Sequence, residues 1–370
     1  MIIREIQNEL LNCAREYPAV TILGPRQSGK TTLSKMTFPG MGYCSLEEPD
    51  TRRMAHNDPR GLLSVFPDGV ILDEIQRVPE LLSYLQGIID QQKQPGRFIL
   101  TGSHQPEVHQ AVSQSLAGRT AVLELLPFSL TELGSYDRPQ PDAYEMIIKG
   151  FYPRLHEDQL RSGRFYSSYM ATYVERDVRA LVNLKDLTTF NEFLHLLAGR
   201  IGQLINYASL ASDVGVSSTT IKNWISVLKA TYLLFELPPY FKNVRKRLVK
   251  SSKLYFTDVG LAAWLLGLET PQQVHRDPLR GSLYENLLIL EVVKKLTNQG
   301  LEPRLHFYRD SHGNEIDLLI SHRRKFIAIE IKSAQTFQPE FITGIKSFKS
   351  SISQDELLQS QLWYDGKQAT

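Results

Sequence analysis

Short apolar runs punctuate the first part of the chain: Val20-Thr21-Ile22-Leu23, Val70-Ile71-Leu72, Arg97-Phe98-Ile99-Leu100 and Thr120-Ala121-Val122-Leu123-Glu124-Leu125. They predict strands of a parallel sheet, with helix-compatible stretches such as Thr31-Thr32-Leu33-Ser34-Lys35-Met36 between them. Residues 143–186 read as helices. In 207–230 a short helix around Leu210, Ala211 and Val214 meets Gly215. Ser217 or Ser218 then caps a helix with Ile221, Trp224, Ile225 and Leu228 at i, i+3, i+4 and i+7. Leu233–Leu237 and Lys253–Phe256 read as two hairpin strands. A helix follows over 283–294, and then three strands over 305–308, 315–320 and 326–332. The last two strands alternate, so Ile316, Leu318 and Ile320 are expected on one face and Asp317 on the other. Likewise Ile327, Ile329 and Ile331 face the core, with Glu330 and Lys332 projecting together opposite them.

A chain of 370 residues exceeds one ordinary core and predicts several domains. The polar, proline-punctuated stretch Asp137-Arg138-Pro139-Gln140-Pro141-Asp142 is the clearest boundary. It divides the chain into a sheet domain over 1–136, a helical connection over 143–186, a helix-turn-helix unit with a wing over 187–260, and a final α/β domain over 261–370. The net charge of +2 excludes strong global attraction to nucleic acid and leaves only local patches. Cys13 and Cys44 have no metal-type spacing and fit a reducing compartment. The first residues mix charge with apolar positions unlike a signal peptide, and no apolar run is long enough to span a bilayer. The expectation is a cytoplasmic protein without a membrane partner.

The chemistry concentrates first in Gly24-Pro25-Arg26-Gln27-Ser28-Gly29-Lys30-Thr31, a complete G-x-x-x-x-G-K-T set between a strand and a helix. Gly24 and Gly29 allow backbone dihedrals that turn N–H groups inward around a phosphate, and the following helix adds the partial positive charge of its N-terminus. Lys30 reaches β- and γ-phosphate oxygens, the Thr31 hydroxyl ligates Mg²⁺, and Thr32 follows in the same first turn. ATP and Mg²⁺ are the implied ligands. Asp73 and Glu74, directly after the Val70–Leu72 run, are placed to hold the Mg²⁺ shell and to orient attacking water. Thr101-Gly102-Ser103 ends a third strand, where a hydroxyl can sense the γ-phosphate; Ser103 is favoured over Thr101, and both can instead cap the next helix. Arg119 lies between a helix end and a strand. It either reaches a neighbouring subunit's phosphates in a homo-oligomer or caps the preceding carbonyls.

The octet, Asp73-Glu74-Ile75-Gln76, Leu100-Thr101-Gly102-Ser103 and Leu116-Ala117-Gly118-Arg119 resemble a group of bacterial and archaeal AAA+ ATPases. So do Gly150-Phe151-Tyr152-Pro153, Tyr173-Val174-Glu175-Arg176-Asp177-Val178 and Leu254-Tyr255-Phe256-Thr257-Asp258-Val259-Gly260-Leu261. The resemblance covers nearly the whole chain and implies an α/β P-loop ATPase followed by a C-terminal domain of undescribed role. Phe151 departs from the group, which usually has a second glycine there.

The helix over 218–230 offers Thr219, Thr220, Lys222, Asn223 and Lys229 on its outer face. Between the two hairpin strands lie Lys242, Arg245, Lys246, Arg247, Lys250 and Lys253 with no acidic residue in the interval. On a winged helix such a stripe suits DNA phosphates; otherwise it is a solvated loop. In the last domain, Asp317, Glu330 and Lys332, with Glu285 on the preceding helix, resemble the PD-(D/E)xK nuclease superfamily. The resemblance implies a restriction-endonuclease-like α/β fold in which Asp317, Glu330 and Glu285 hold a divalent metal and Lys332 steadies the attacking water. The competing reading is an exposed Glu330–Lys332 ion pair on an edge strand. The function expected is Mg²⁺-dependent ATP hydrolysis coupled to DNA binding or processing. The alternatives are a nucleotide-dependent switch acting on protein partners with an inactive nuclease-like scaffold, and a metal nuclease whose ATPase module supports assembly.

Overall fold

The first sheet takes its form from strands that are apolar on both faces. In the computed structural model, which describes residues 2–103, 114–134, 142–172, 186–240, 251–310, 312–323 and 325–366, five strands run parallel in the order β2-β3-β4-β1-β5. They are β1 (Ala19–Leu23), β2 (Gly42–Ser45), β3 (Val70–Asp73), β4 (Phe98–Gly102) and β5 (Thr120–Glu124). Alternate residues feed two cores. Val20, Ile22, Ile71 and Ile99 pack with Leu10 of the helix Gln7–Glu16, whereas Leu23, Leu72 and Leu100 pack with Leu81, Leu85 and Ile89 of the helix Leu81–Gln91. Burial on both sides explains the continuous apolar runs. The edge strand β2 buries fully only Cys44 and carries no such run, so its sequence did not announce it.

The middle of the chain is helical, as the pattern predicts, over Ala143–Lys149, Pro153–Glu157 and Ser162–Tyr169, and a further helix, Leu187–Ala198, follows beyond the predicted range. The helices Tyr207–Val214 and Ser218–Ala230 meet at Gly215, whose φ of 77° is the left-handed conformation that closes a helix. Ser217, not Ser218, is the cap, accepting a bond from the Thr220 N–H. The strands β6 (Leu234–Leu237) and β7 (Lys253–Phe256) pair antiparallel, Leu237 opposite Lys253. The positions Lys242, Arg245, Lys246, Arg247 and Lys250, and also Glu175, Arg176 and Asp177, lie outside the described residues. Among the described residues no helix is long and apolar enough to cross a membrane.

The last sheet is ordered β11-β10-β9-β8, with β8 (Leu305–Arg309), β9 (Glu315–His322), β10 (Lys325–Lys332) and β11 (Leu357–Tyr364). The pairs β8–β9 and β9–β10 are antiparallel, and β10–β11 is parallel. Two expectations need correction here. The register of β8 on β9 shifts between His306 and Tyr308, so Asp317 and Leu318 together oppose one residue in a bulge. The bulge reverses the alternation: Leu318 packs with Leu283 and Leu287 of the helix Arg280–Thr297, whereas Ile316 joins Leu319 and Phe348 on the opposite face. The unforeseen strand β11 also covers β10, so Glu330 is on an interior strand and only 6% exposed. The edge-strand reading of the Glu330–Lys332 pair therefore fails.

Candidate nucleotide site and the C-terminal acid cluster

The loop Gly24–Lys30 leaves β1 at the carboxyl end of the sheet and enters the helix Lys30–Thr37. At Gly24 a Cβ would stand 2.1 Å from the Leu125 carbonyl oxygen, so only glycine lets the loop pass β5 so closely. Gly29, at φ 94°, caps the helix with its backbone. Pro25, Ser28 and Lys30 are buried, Arg26 is half-buried, and Gln27 and Thr32 are exposed. The Lys30 ammonium folds back to donate to the Gly24 carbonyl at 3.0 Å and the Pro25 carbonyl at 2.7 Å. Burial pushes its pKa down to about 8, with Glu74 and Asp73 pulling the other way.

Thr31 Oγ1 donates to both carboxylate oxygens of Asp73, at 2.9 and 3.1 Å. Asp73 also accepts from Thr101 Oγ1 and, at 2.8 Å, from the Tyr43 hydroxyl. A hydroxyl and a carboxylate joined at the start of the helix form a hard-oxygen pair that fits Mg²⁺. Glu74 follows β3 in the left-handed region, φ 59° and ψ 49°, and its N–H donates to Thr101 Oγ1 at 3.2 Å. Ser103 Oγ donates to Glu74 Oε2 at 3.3 Å, and the Gln76 amide donates to Glu74 and, at 3.0 Å, to Ser103 Oγ. Thr101 therefore stands with Asp73, and Ser103 with Glu74.

Arg4 has no counterpart in the sequence reading. This buried arginine donates to the Ser28 carbonyl at 2.7 Å, the Leu126 carbonyl at 2.6 Å and Glu132 at 2.9 Å, bracing the loop from below. Tyr43 was missed for the same reason as β2, which carries it. Arg119 precedes β5 at the amino end of the sheet, opposite its own phosphate loop. It pairs bidentately with Asp90 at 2.7 and 3.0 Å and reaches the Ala117 carbonyl at 3.2 Å.

In the last domain the sheet brings Asp317, Glu330 and Lys332 together. Lys332 Nζ donates to Glu330 Oε1 at 2.6 Å and stands 3.9 Å from Asp317 Oδ2, which accepts the Ile331 N–H at 2.8 Å. Burial, then the neighbouring Asp317 charge, pushes the Glu330 carboxyl up to about 8, and burial pushes Glu285 up to about 7. Lys253 corrects the sequence reading of the basic stripe. It is 5% exposed, and its ammonium lies 2.9 Å from Glu285, in contact with Glu315, and 3.8 Å from Asp317. Burial alone would lower its pKa, but Glu285, Asp317 and Glu315 more than offset this and hold it above the ordinary lysine value. Among the described residues no three His, Cys, Asp or Glu side chains converge to hold a metal ion. With Lys253 in the cluster, the expected three-acid metal set does not fit. Lys229, expected on the outer face of its helix, is paired with Glu236.

The parallel sheet, the glycine-flanked loop and the Thr31–Asp73 pair have the arrangement of a P-loop nucleotide site. Residues 16–134 match the family model described as an AAA domain. Residues 140–272 and 280–369 match two domains of unknown function, DUF8612 and DUF4143. An uncharacterized protein of Mycobacterium tuberculosis is 29% identical over 367 residues, 98% of this chain and 80% of that protein. An uncharacterized protein of Methanocaldococcus jannaschii is 26% identical over 211 residues, 55% of this chain and 43% of that one. A solved Walker-type ATPase of Pyrococcus abyssi covers 70% of this chain and 94% of its own at 15% identity and a TM-score of 0.46, a likeness too loose to argue from.

Proposed function

We propose that the chain hydrolyses ATP with Mg²⁺ and couples the nucleotide state to DNA through its middle segment. The observation that carries the ATPase reading is the hydrogen-bonded Thr31–Asp73 pair beside Glu74, at the mouth of the phosphate loop. The amides of Gly24–Thr31 and the Lys30 ammonium bind the phosphates once Lys30 leaves the Gly24 and Pro25 carbonyls. Thr31 and Asp73 would hold Mg²⁺, which would neutralise charge on the β- and γ-phosphates. Glu74, oriented by Ser103 and Gln76, aligns and polarises the attacking water. Beside the loop, a cleft lined by Ile2, Thr32, Met36, Phe128 and Pro153 offers apolar surface to the nucleoside. Arg119 reaches a neighbouring copy's phosphates if its pair with Asp90 is exchanged on assembly.

The test is nucleotide binding and phosphate release by the full chain. Lys30→Ala removes ground-state phosphate contacts and should abolish ATP binding. Glu74→Gln should keep binding and lose turnover, about 10²-fold or more, because Glu74 matters mainly when water attacks. Wild-type turnover in Glu74→Gln would refute the assignment of Glu74.

A second reading, a nucleotide-dependent switch with a scaffold C-terminal domain, is favoured by Lys253 among the acids. No nuclease step is derived from that cluster.

A further inference from the structure

We propose that Lys253 is the resident cation of the C-terminal acid cluster: its ammonium lies among Glu285, Glu315 and Asp317, where an exchangeable divalent ion would have to sit, and the domain serves as a metal-free scaffold. An ammonium has three donors and no acceptor. Here they face Glu285 at 2.9 Å, Glu315 in direct contact, and Asp317 at 3.8 Å. A second basic group, Lys332, covers Glu330 Oε1, and the Ile331 N–H covers Asp317 Oδ2. Lys253 and Lys332, with Arg309 3.6 Å from Glu315, thus meet from within the chain most of the charge a metal would neutralise. What an ammonium does not supply is a Lewis acid that lowers the pKa of a bound water, which metal-assisted phosphodiester hydrolysis requires.

The lysine is built in, not swung in. Lys253 starts β7, pairs with Leu237 of β6 and bridges to Leu204. Leu254, Tyr255 and Phe256 behind it are all buried. The Asn286 side chain, 0% exposed, clasps the Phe256 backbone at both ends, accepting its N–H at 2.8 Å and donating to its carbonyl at 2.9 Å. Tyr255 donates to the same Glu285 oxygen that Lys253 holds. To free the acids for a metal, the buried ammonium would have to give up Glu285 and Glu315 while its backbone stays held in β7. One buried oxygen of the cluster, Glu330 Oε2, has no hydrogen-bond partner among the described residues, so it marks where an ion would enter if the proposal were wrong.

The experiment titrates Mn²⁺ into the nucleotide-free full chain, following free Mn²⁺ by electron paramagnetic resonance. The readout does not involve turnover, so its failure is distinct from failure of the ATPase reading. Binding at the phosphate loop is recognised by its loss in Asp73→Asn. The wild type is expected to show no Mn²⁺ binding that Asp317→Asn or Glu330→Gln removes, and no Mn²⁺-dependent nicking of plasmid DNA. Lys253→Met in the Asp73→Asn background empties the cation position; that chain should bind Mn²⁺ and melt at a higher temperature with it, and Asp317→Asn should remove both effects. Mn²⁺ binding or DNA cleavage by a chain that retains Lys253, abolished by Asp317→Asn or Glu330→Gln, would overturn the proposal. So would a folded Lys253→Met chain that takes up no Mn²⁺. If Lys253→Met does not fold, the wild-type titration alone still decides.

Discussion

Lys30 shows how burial and chemistry meet in one side chain. Its ammonium rests on two loop carbonyls, and its burial away from water lowers its pKa to about 8. Bound triphosphate favours the charged form, so the group's pKa rises on binding. Below pH 8 the ammonium is already present and ATP affinity should be flat. Above pH 8 a proton must be taken up on binding, and affinity should fall by up to about tenfold per pH unit until the bound-state pKa is reached. Calorimetric titration from neutral to strongly alkaline pH checks this; a flat profile would mean that Lys30 is not desolvated in the free protein. The same burial explains why Arg4, which braces this loop, escaped the sequence reading. An arginine in a mixed-charge N-terminal stretch looks exposed, and only the fold shows Glu132 and two carbonyls waiting for it.

At the scale of elements, two of the motifs behind the family resemblance turn out to form one joint. Asp258 caps the helix Val259–Leu265 through the Leu261 N–H at 3.1 Å and also accepts the Phe151 N–H at 2.7 Å and the Tyr166 hydroxyl at 2.5 Å. Gly150 ends the helix Ala143–Lys149 with φ 72°, and a Cβ there would meet the Tyr166 hydroxyl at 1.7 Å. Gly150, Asp258 and Tyr166 therefore tie helices from distant parts of the chain. Asp258→Ala leaves two N–H groups and a hydroxyl buried without this acceptor and should cost about 3 kcal/mol or more. Gly150→Ala should destabilise through the clash and the positive φ together. Urea unfolding of both variants measures this. If either unfolded at the wild-type midpoint, the joint would carry no stability.

For the whole molecule, the proposed ATPase reaction has to reach the rest of the chain through the contacts of the last domain. The helix Arg280–Thr297 carries Glu285 and Asn286 toward β7, while Glu291 accepts the Leu130 N–H at 2.7 Å and Lys295 and Asn298 reach Glu5 at 3.2 and 3.1 Å. One helix thus touches both the unit that carries the phosphate loop and β7, the strand that follows the stretch proposed to meet DNA. If Arg245, Lys246 and Arg247 each contact a phosphate, neutralising all three should weaken duplex binding. The slope of log K against log salt should drop by roughly 0.9 per charge lost, with ATP affinity unchanged. Unaltered duplex affinity and slope would leave that stretch a solvated loop.

The placement of the phosphate loop, Asp73 and Glu74 at strand ends was legible from the sequence alone because it depends on local spacing: a strand, a glycine turn and a helix start are all encoded within a few residues. The helix pair around Gly215 and the strands β8 to β10 were legible for the same reason, since periodicity follows from which face is covered. Tertiary structure alone decided what depends on distant partners. Gly42–Ser45 and Leu357–Tyr364 are strands because neighbours with the right register complete their hydrogen bonds. Ile316 changes sides because β8 forces a bulge at Asp317 and Leu318. Lys253 reads as one more charge in a basic stripe until the fold sets it against acids 32, 62 and 64 positions further along the chain, where burial turns a surface charge into an internal counter-ion.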